Sequence, residues 1–125
     1  MRTPIQTDQA PKPIGPYSQA IVEGGFIFLA GQGCTNPATG QLEKGDVKQE
    51  TRRTFENMKA ILEAAGSSLE KVLKCNVYLR DINDFQAMNE VYATYFKAPY
   101  PARTTIQAGA LPGGIAVEIE CIAKK

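Results

Sequence analysis

Two stretches of this chain carry the spacing of an amphipathic helix. Val47, Thr51, Phe55, Met58, Ile61, Leu62 and Ala65 fall on one stripe, and Phe85, Met88, Tyr92, Tyr95 and Phe96 on another. Asp46 is the expected N-cap of the first helix, with Gln49 three residues on as in a capping box, and Gly66 is its expected C′ residue. The second helix is expected over 82–97, capped near Asp81 or Asn83. Alternating stretches over 17–22, 26–30, 72–80, 102–108 and 116–123 read as strands, with a short one at Gln41-Leu42. Two helices cover only one face of one sheet. The other face is then either wet or packed against another subunit. Tyr78 and Ile122 on that face favour packing, and closed rings are how such faces are commonly buried. A homo-oligomer is therefore expected.

The last two strands read as a hairpin broken by Gly109, Pro112, Gly113 and Gly114. In the first, Arg103, Thr105 and Gln107 share a face; in the second, Glu118 and Glu120 do. A turn centred near Leu111-Pro112 sets Arg103 opposite Glu120, and a slip of one residue inverts the arrangement. The bare sheet face is then expected to carry Arg103, Thr105, Glu118, Glu120, Lys74, Asn76 and Tyr78. An Arg beside a carboxylate has two readings. One is a structural ion pair of little energetic weight. The other is a site, because the guanidinium fork grips a carboxylate with two bonds and a nearby Glu handles protons or a water.

A length of 125 residues suits one domain, 1–125. With a net charge of +1 and acids and bases interspersed, nothing argues for nucleic acid or an anionic membrane as partner. Histidine is absent, which removes His-based triads and His metal ligands. Nothing resembles a signal peptide, and no apolar run approaches membrane-spanning length. Three unspaced cysteines suggest no disulfide framework and suit a reducing cytoplasm. Cys75 and Cys121 sit at apolar strand positions; Cys34, after Gly31-Gln32-Gly33, is the one expected to be exposed. Those glycines mark a bulge, a turn or a close approach to a ligand, and no phosphate loop follows. Pro4, Pro11, Pro13 and Pro16 keep the first 16 residues extended.

In order and spacing, the chain resembles the reactive intermediate/imine deaminase family over nearly its whole length. The matching runs are Gly15-Pro-Tyr-Ser-Gln-Ala20, Ala30-Gly-Gln, Asn57-Met-Lys-Ala-Ile-Leu62, Ala65-Gly66, Val77-Tyr78-Leu79, Asn89-Glu-Val-Tyr92, Pro101-Ala-Arg-Thr104 and Glu118-Ile-Glu120 with Ile122-Ala123. The resemblance implies a chorismate-mutase-like α+β fold, with two helices on one face of a single sheet. It implies a homotrimer with sheets facing inward and clefts between subunits. The implied activity is hydrolysis of 2-imino and enamine acids to 2-keto acids and ammonia, without cofactor or metal. By the same resemblance, Arg103 binds the substrate carboxylate, helped by the backbone near Thr105. Glu120 orients water and relays protons, Tyr17 packs on or hydrogen-bonds the substrate, and Asn89, Ala30 and Gly31 line the cleft. The chain departs from the family's pattern at Ala30, Ser in some members, and at Thr105, Cys in some. Thr without an adjacent base is a poor nucleophile, so covalent catalysis at 105 is not expected. The competing readings are a trimer that binds a small carboxylate without turnover, an RNA-acting protein and a chaperone. Neutral charge argues against the RNA-acting reading, and the lack of an exposed apolar run against the chaperone.

Overall fold

The computed structural model describes residues 1–125. In chain order the elements are β1 (Thr3–Ile5), β2 (Ala20–Glu23), β3 (Phe26–Gln32), α1 (Val47–Ala64), β4 (Val72–Leu79), α2 (Phe85–Tyr95), β5 (Ala102–Gln107) and β6 (Val117–Lys124). The strands form one mixed sheet in the order β1-β2-β3-β6-β4-β5, with both helices on one side. This is an α+β architecture.

Both ends of α1 follow from local chemistry. Asp46 is extended, and its carboxylate accepts the Lys48 N–H at 3.0 Å. The expected reciprocal bond from Gln49 does not form; Glu50 instead reaches back to the residue before the cap, its Oε2 accepting the Gly45 N–H at 3.3 Å. At the other end Gly66 has φ +79°, its N–H donates to Glu63 O, and Ser67 N–H donates to Leu62 O. That is a Schellman ending, and it needs the left-handed residue that Gly supplies without strain. The turn between β2 and β3 is equally local. Gly24 and Gly25 both have positive φ and close a two-residue hairpin.

The helices bury Phe55, Met58, Ile61, Leu62 and Met88 against Ile27, Val77, Leu79, Val117 and Ile119. Each such side chain contributes about 1.5–3 kcal/mol by leaving water. Phe55 locks the helices together, stacking on Tyr95 at 4.6 Å and meeting Tyr92 edge-on at 5.5 Å. No helix is long and apolar enough to cross a membrane.

The expected C-terminal hairpin does not form. β5 pairs in parallel with β4, setting Arg103 opposite Cys75 and Thr105 opposite Val77. β6 enters between β3 and β4, antiparallel to both, with Glu120 opposite Asn76. The cause is the connection before β5. A helix joins β4 to β5, and a helical crossover delivers its strand parallel to the one it left. With β5 at the sheet edge, residues 108–116 pass across the end of β4 instead of turning back. Arg80 holds them there: its N–H donates to Ala116 O at 2.9 Å and its guanidinium to Gly114 O at 2.8 Å. Lys44 Nζ donates to Gly113 O at 3.0 Å.

Opposed residues share a face. Arg103 and Thr105 therefore lie on the helix side, not on the bare face where the hairpin register placed them. Glu118, Glu120, Ile122, Lys74, Asn76 and Tyr78 do share the bare face, joined there by Ala102, Thr104 and Ile106. Phe26 and Phe28 alternate with buried Ile27 and Leu29, and so stand on the bare face too, 43% and 44% exposed.

Smaller differences have similarly local causes. Tyr17 and Ser18 precede the ladder, which begins at Ala20. Gln41-Leu42 makes a single bridge, Leu42 to Thr35, rather than a strand. A tighter helical turn at 82–84 precedes α2, which ends at Tyr95 rather than 97. Cys75 and Cys121 are buried as expected. Cys34 is fully buried too, contrary to its expected exposure. Burial first, and the Glu50 carboxylate second, push its thiol up to about 11, which makes a reactive thiolate unfavourable.

Candidate active site in two halves

The residues expected to act together lie in two groups on opposite sides of the sheet. The first is built by β5 and α2. Phe85, Asn89 and Tyr92 fall at positions i, i+4 and i+7, hence on one helical face. That face meets the Arg103 side chain. The guanidinium carbon lies 4.6 Å from the Tyr92 ring centre and 5.4 Å from that of Phe85. Arg103 Nη1 donates to Asn89 Oδ1 at 2.7 Å. Burial pushes the Tyr92 phenol well up, so the ring beneath the guanidinium stays neutral. The chain's ion pairs are Met1–Glu23, Lys48–Glu90 and Arg53–Glu43, and none involves Arg103. Its charge is thus held by rings and an amide, while its remaining N–H donors have no acid to neutralise them. Thr105 shares this face, and its buried hydroxyl has no hydrogen-bond partner.

The second group stands on the bare face. Tyr78 Oη donates to Glu120 Oε1 across β4 and β6. Glu118 is half-buried, and its carboxyl is pushed above its ordinary value, chiefly by burial and then by Glu120. Gly31 lies against Glu118, and a side-chain carbon at 31 would collide with that carboxylate. Here the glycine gives room to an acid rather than forming a turn. Ala30 ends the regular pairing of β3, and its N–H donates to Gln19 O at 3.0 Å.

Tyr17 is 52% exposed, and its Oη accepts the Ile14 N–H at 3.1 Å. Together with Gly31 it lines a cleft of about 450 Å³ between the N-terminal arm and residues 31–40. Neither Arg103 nor Glu120 lines that cleft.

Thus the chain brings Arg103, Asn89 and Thr105 together, and separately Glu120, Glu118 and Gly31, while Tyr17 shares only the cleft with Gly31. It does not bring Arg103 to Glu120. Phe85 and Tyr92 were not among the residues expected at the site, and Tyr78 and Glu118 were expected on the bare face without a role in it. The i, i+4, i+7 spacing around Asn89 is the signal that reveals the first two.

A small α+β protein with a preorganised guanidinium at its sheet edge is the class that fold and site define. The family model described as endoribonuclease L-PSP matches residues 7–125. A RutC family protein of Pyrococcus horikoshii is 56% identical over 125 residues, covering 100% of this chain and 99% of that one. The human 2-iminobutanoate/2-iminopropanoate deaminase is 46% identical over 123 residues, covering 98% of this chain and 90% of that one. The solved structure of Escherichia coli TdcF with bound serine superposes with a TM-score of 0.93 at 40% identity, covering 98% of each chain. The chain belongs to the reactive intermediate/imine deaminase (RidA) family, the L-PSP family of that model.

Proposed function

We propose that this protein hydrolyses 2-imino and enamine acids, 2-iminobutanoate and 2-iminopropanoate among them, to 2-keto acids and ammonia. We further propose that it does so between subunits of a homotrimer with the chorismate-mutase-like arrangement. The observation that carries the reading is the Arg103 guanidinium, held by Tyr92, Phe85 and Asn89 and lacking an acidic partner. Such a fork takes a small carboxylate in two charge-assisted bonds. The names of relatives support the substrate class: one is a deaminase of these imines, and another was solved with an amino acid bound.

Arg103 grips the substrate carboxylate and fixes the imine carbon, with the Thr105 backbone and hydroxyl beside it. Water adds to the C=N carbon as its proton passes to Glu120. The carbinolamine nitrogen takes up a proton, the C–N bond breaks with its electrons leaving on ammonia, and the hydroxyl proton departs as C=O forms. One water is consumed and one ammonia released. Tyr78 orients Glu120, and Tyr17, Ala30, Gly31 and Asn89 shape the cleft. Because Arg103 and Glu120 face opposite sides of their own sheet, the acid belongs to a neighbouring subunit. The exposed Phe26, Phe28 and Ile106 suit burial in that ring.

A coupled assay tests this. A threonine dehydratase supplies 2-iminobutanoate, and formation of the keto acid and ammonia is compared with the spontaneous rate. Acceleration that is abolished in Arg103→Ala, with the trimer intact, is the expected result. Binding of 2-oxobutanoate without acceleration would replace the enzyme with a carboxylate-binding trimer.

A further inference from the structure

The segment between β1 and β2 is an anomaly of this fold. Residues 6–19 lie outside any strand or helix, and Pro11, Pro13 and Pro16 donate no backbone hydrogen bonds. Yet Ala10, in its middle, is 1% exposed, and Gln19, at its end, is 2% exposed. A buried carboxamide in a loop demands partners. Those of Gln19 are all on the arm. Its Oε1 accepts the Thr7 N–H at 2.8 Å, and its Nε2 donates to Thr7 O at 3.0 Å, Pro11 O at 2.9 Å and, more weakly, Ala10 O at 3.4 Å. The two bonds with Thr7 imitate one rung of a ladder that the prolines preclude. The residue's main chain meanwhile reaches β3, for Gln19 O accepts the Ala30 N–H.

We propose that Gln19 is the positioning residue of the tyrosine side of the site: its carboxamide staples the arm to the sheet and thereby sets where Tyr17 stands. Two observations extend the local bonding to the site. Tyr17 lies two residues before Gln19, and its Oη accepts the amide of Ile14, so the arm closes on the phenol as well. Asp8, Pro11, Lys12 and Ile14 of the stapled arm also form one wall of the cleft that Tyr17 and Gly31 line. Without the staple, Thr7 and Pro11 lose their only side-chain anchor and the wall opens. The consequence for turnover rests on the imine-deaminase reading; the consequence for the arm does not.

Gln19→Met keeps length and volume and deletes every bond. Hydrogen exchange should show protection at the Thr7 and Ile14 amides falling about tenfold or more, with α1 and β6 unchanged. Tyr17→Phe should expose Ile14 alone. With 2-iminobutanoate from a threonine dehydratase, Gln19→Met should raise KM about tenfold and leave kcat within about twofold. Should Gln19→Met not fold, Gln19→Asn, one methylene too short to span Thr7 and Pro11, gives the same readout. Unchanged protection at Thr7 and Ile14 would overturn the proposal, as would a fall in kcat at constant KM. Absence of turnover in the unmodified protein would overturn the deaminase reading and leave the exchange measurement to decide the role of Gln19.

Discussion

The β5 edge and the bare sheet face hold the same kind of asset, a charged group beside an aromatic, in opposite states of completion. At the edge, the protein supplies everything that orients Arg103 from its own α2. On the bare face, Glu120 has Tyr78 and Glu118 but no helix over it, and Phe28 on the same face is exposed. The cation is finished within the chain, whereas the acid has no helix of its own chain over it. The helix layer explains the difference, because α2 reaches only one side of the sheet.

The comparison can be broken by substitution. Arg103→Ala should cost about a thousandfold or more in kcat/KM in the coupled assay, since no other group in its half replaces the fork. Glu120→Gln should cost about a hundredfold, chiefly in kcat, as expected for a proton-handling group. Asn89→Ala removes one charge-assisted bond to Arg103 and should raise KM about tenfold while kcat is retained. The smallest effect belongs to Glu118. Its carboxyl titrates above 4.5 in the folded chain, so the fold binds that proton more tightly than the unfolded chain does. The stability it contributes is fully present below the unfolded value and is lost as pH rises through the raised one. Glu118→Gln should flatten the Tm profile just above pH 4.5, so that its Tm lies slightly above that of the unmodified protein from there to neutrality.

Much of this fold was legible in residue spacing. The α1 stripe, its Asp46 cap and Gly66 ending, and the buried Cys75 and Cys121 all follow from local pattern. Alternation also shows that Arg103 and Thr105 share a face. It does not say which face, because that depends on the register of a neighbouring strand. The helix at 85–95 held the missing clue, since a strand reached through a helix runs parallel to its predecessor and does not turn back as a hairpin. Cys34 was misplaced for a related reason. It is buried beside the carboxylate of Glu50, an α1 residue whose inward orientation no short window reveals. Gln19 likewise reads as a polar strand residue until the arm is seen folded over it.

The central claim is that Arg103 and Glu120 act together from different subunits. Co-folding equal amounts of Arg103→Ala and Glu120→Gln chains tests it most directly. In a ring, about a quarter of the clefts then regain both groups, so activity should return to about a quarter of that of the unmodified protein. Activity no higher than that of the two variants measured apart, in rings shown to be mixed, would contradict the account.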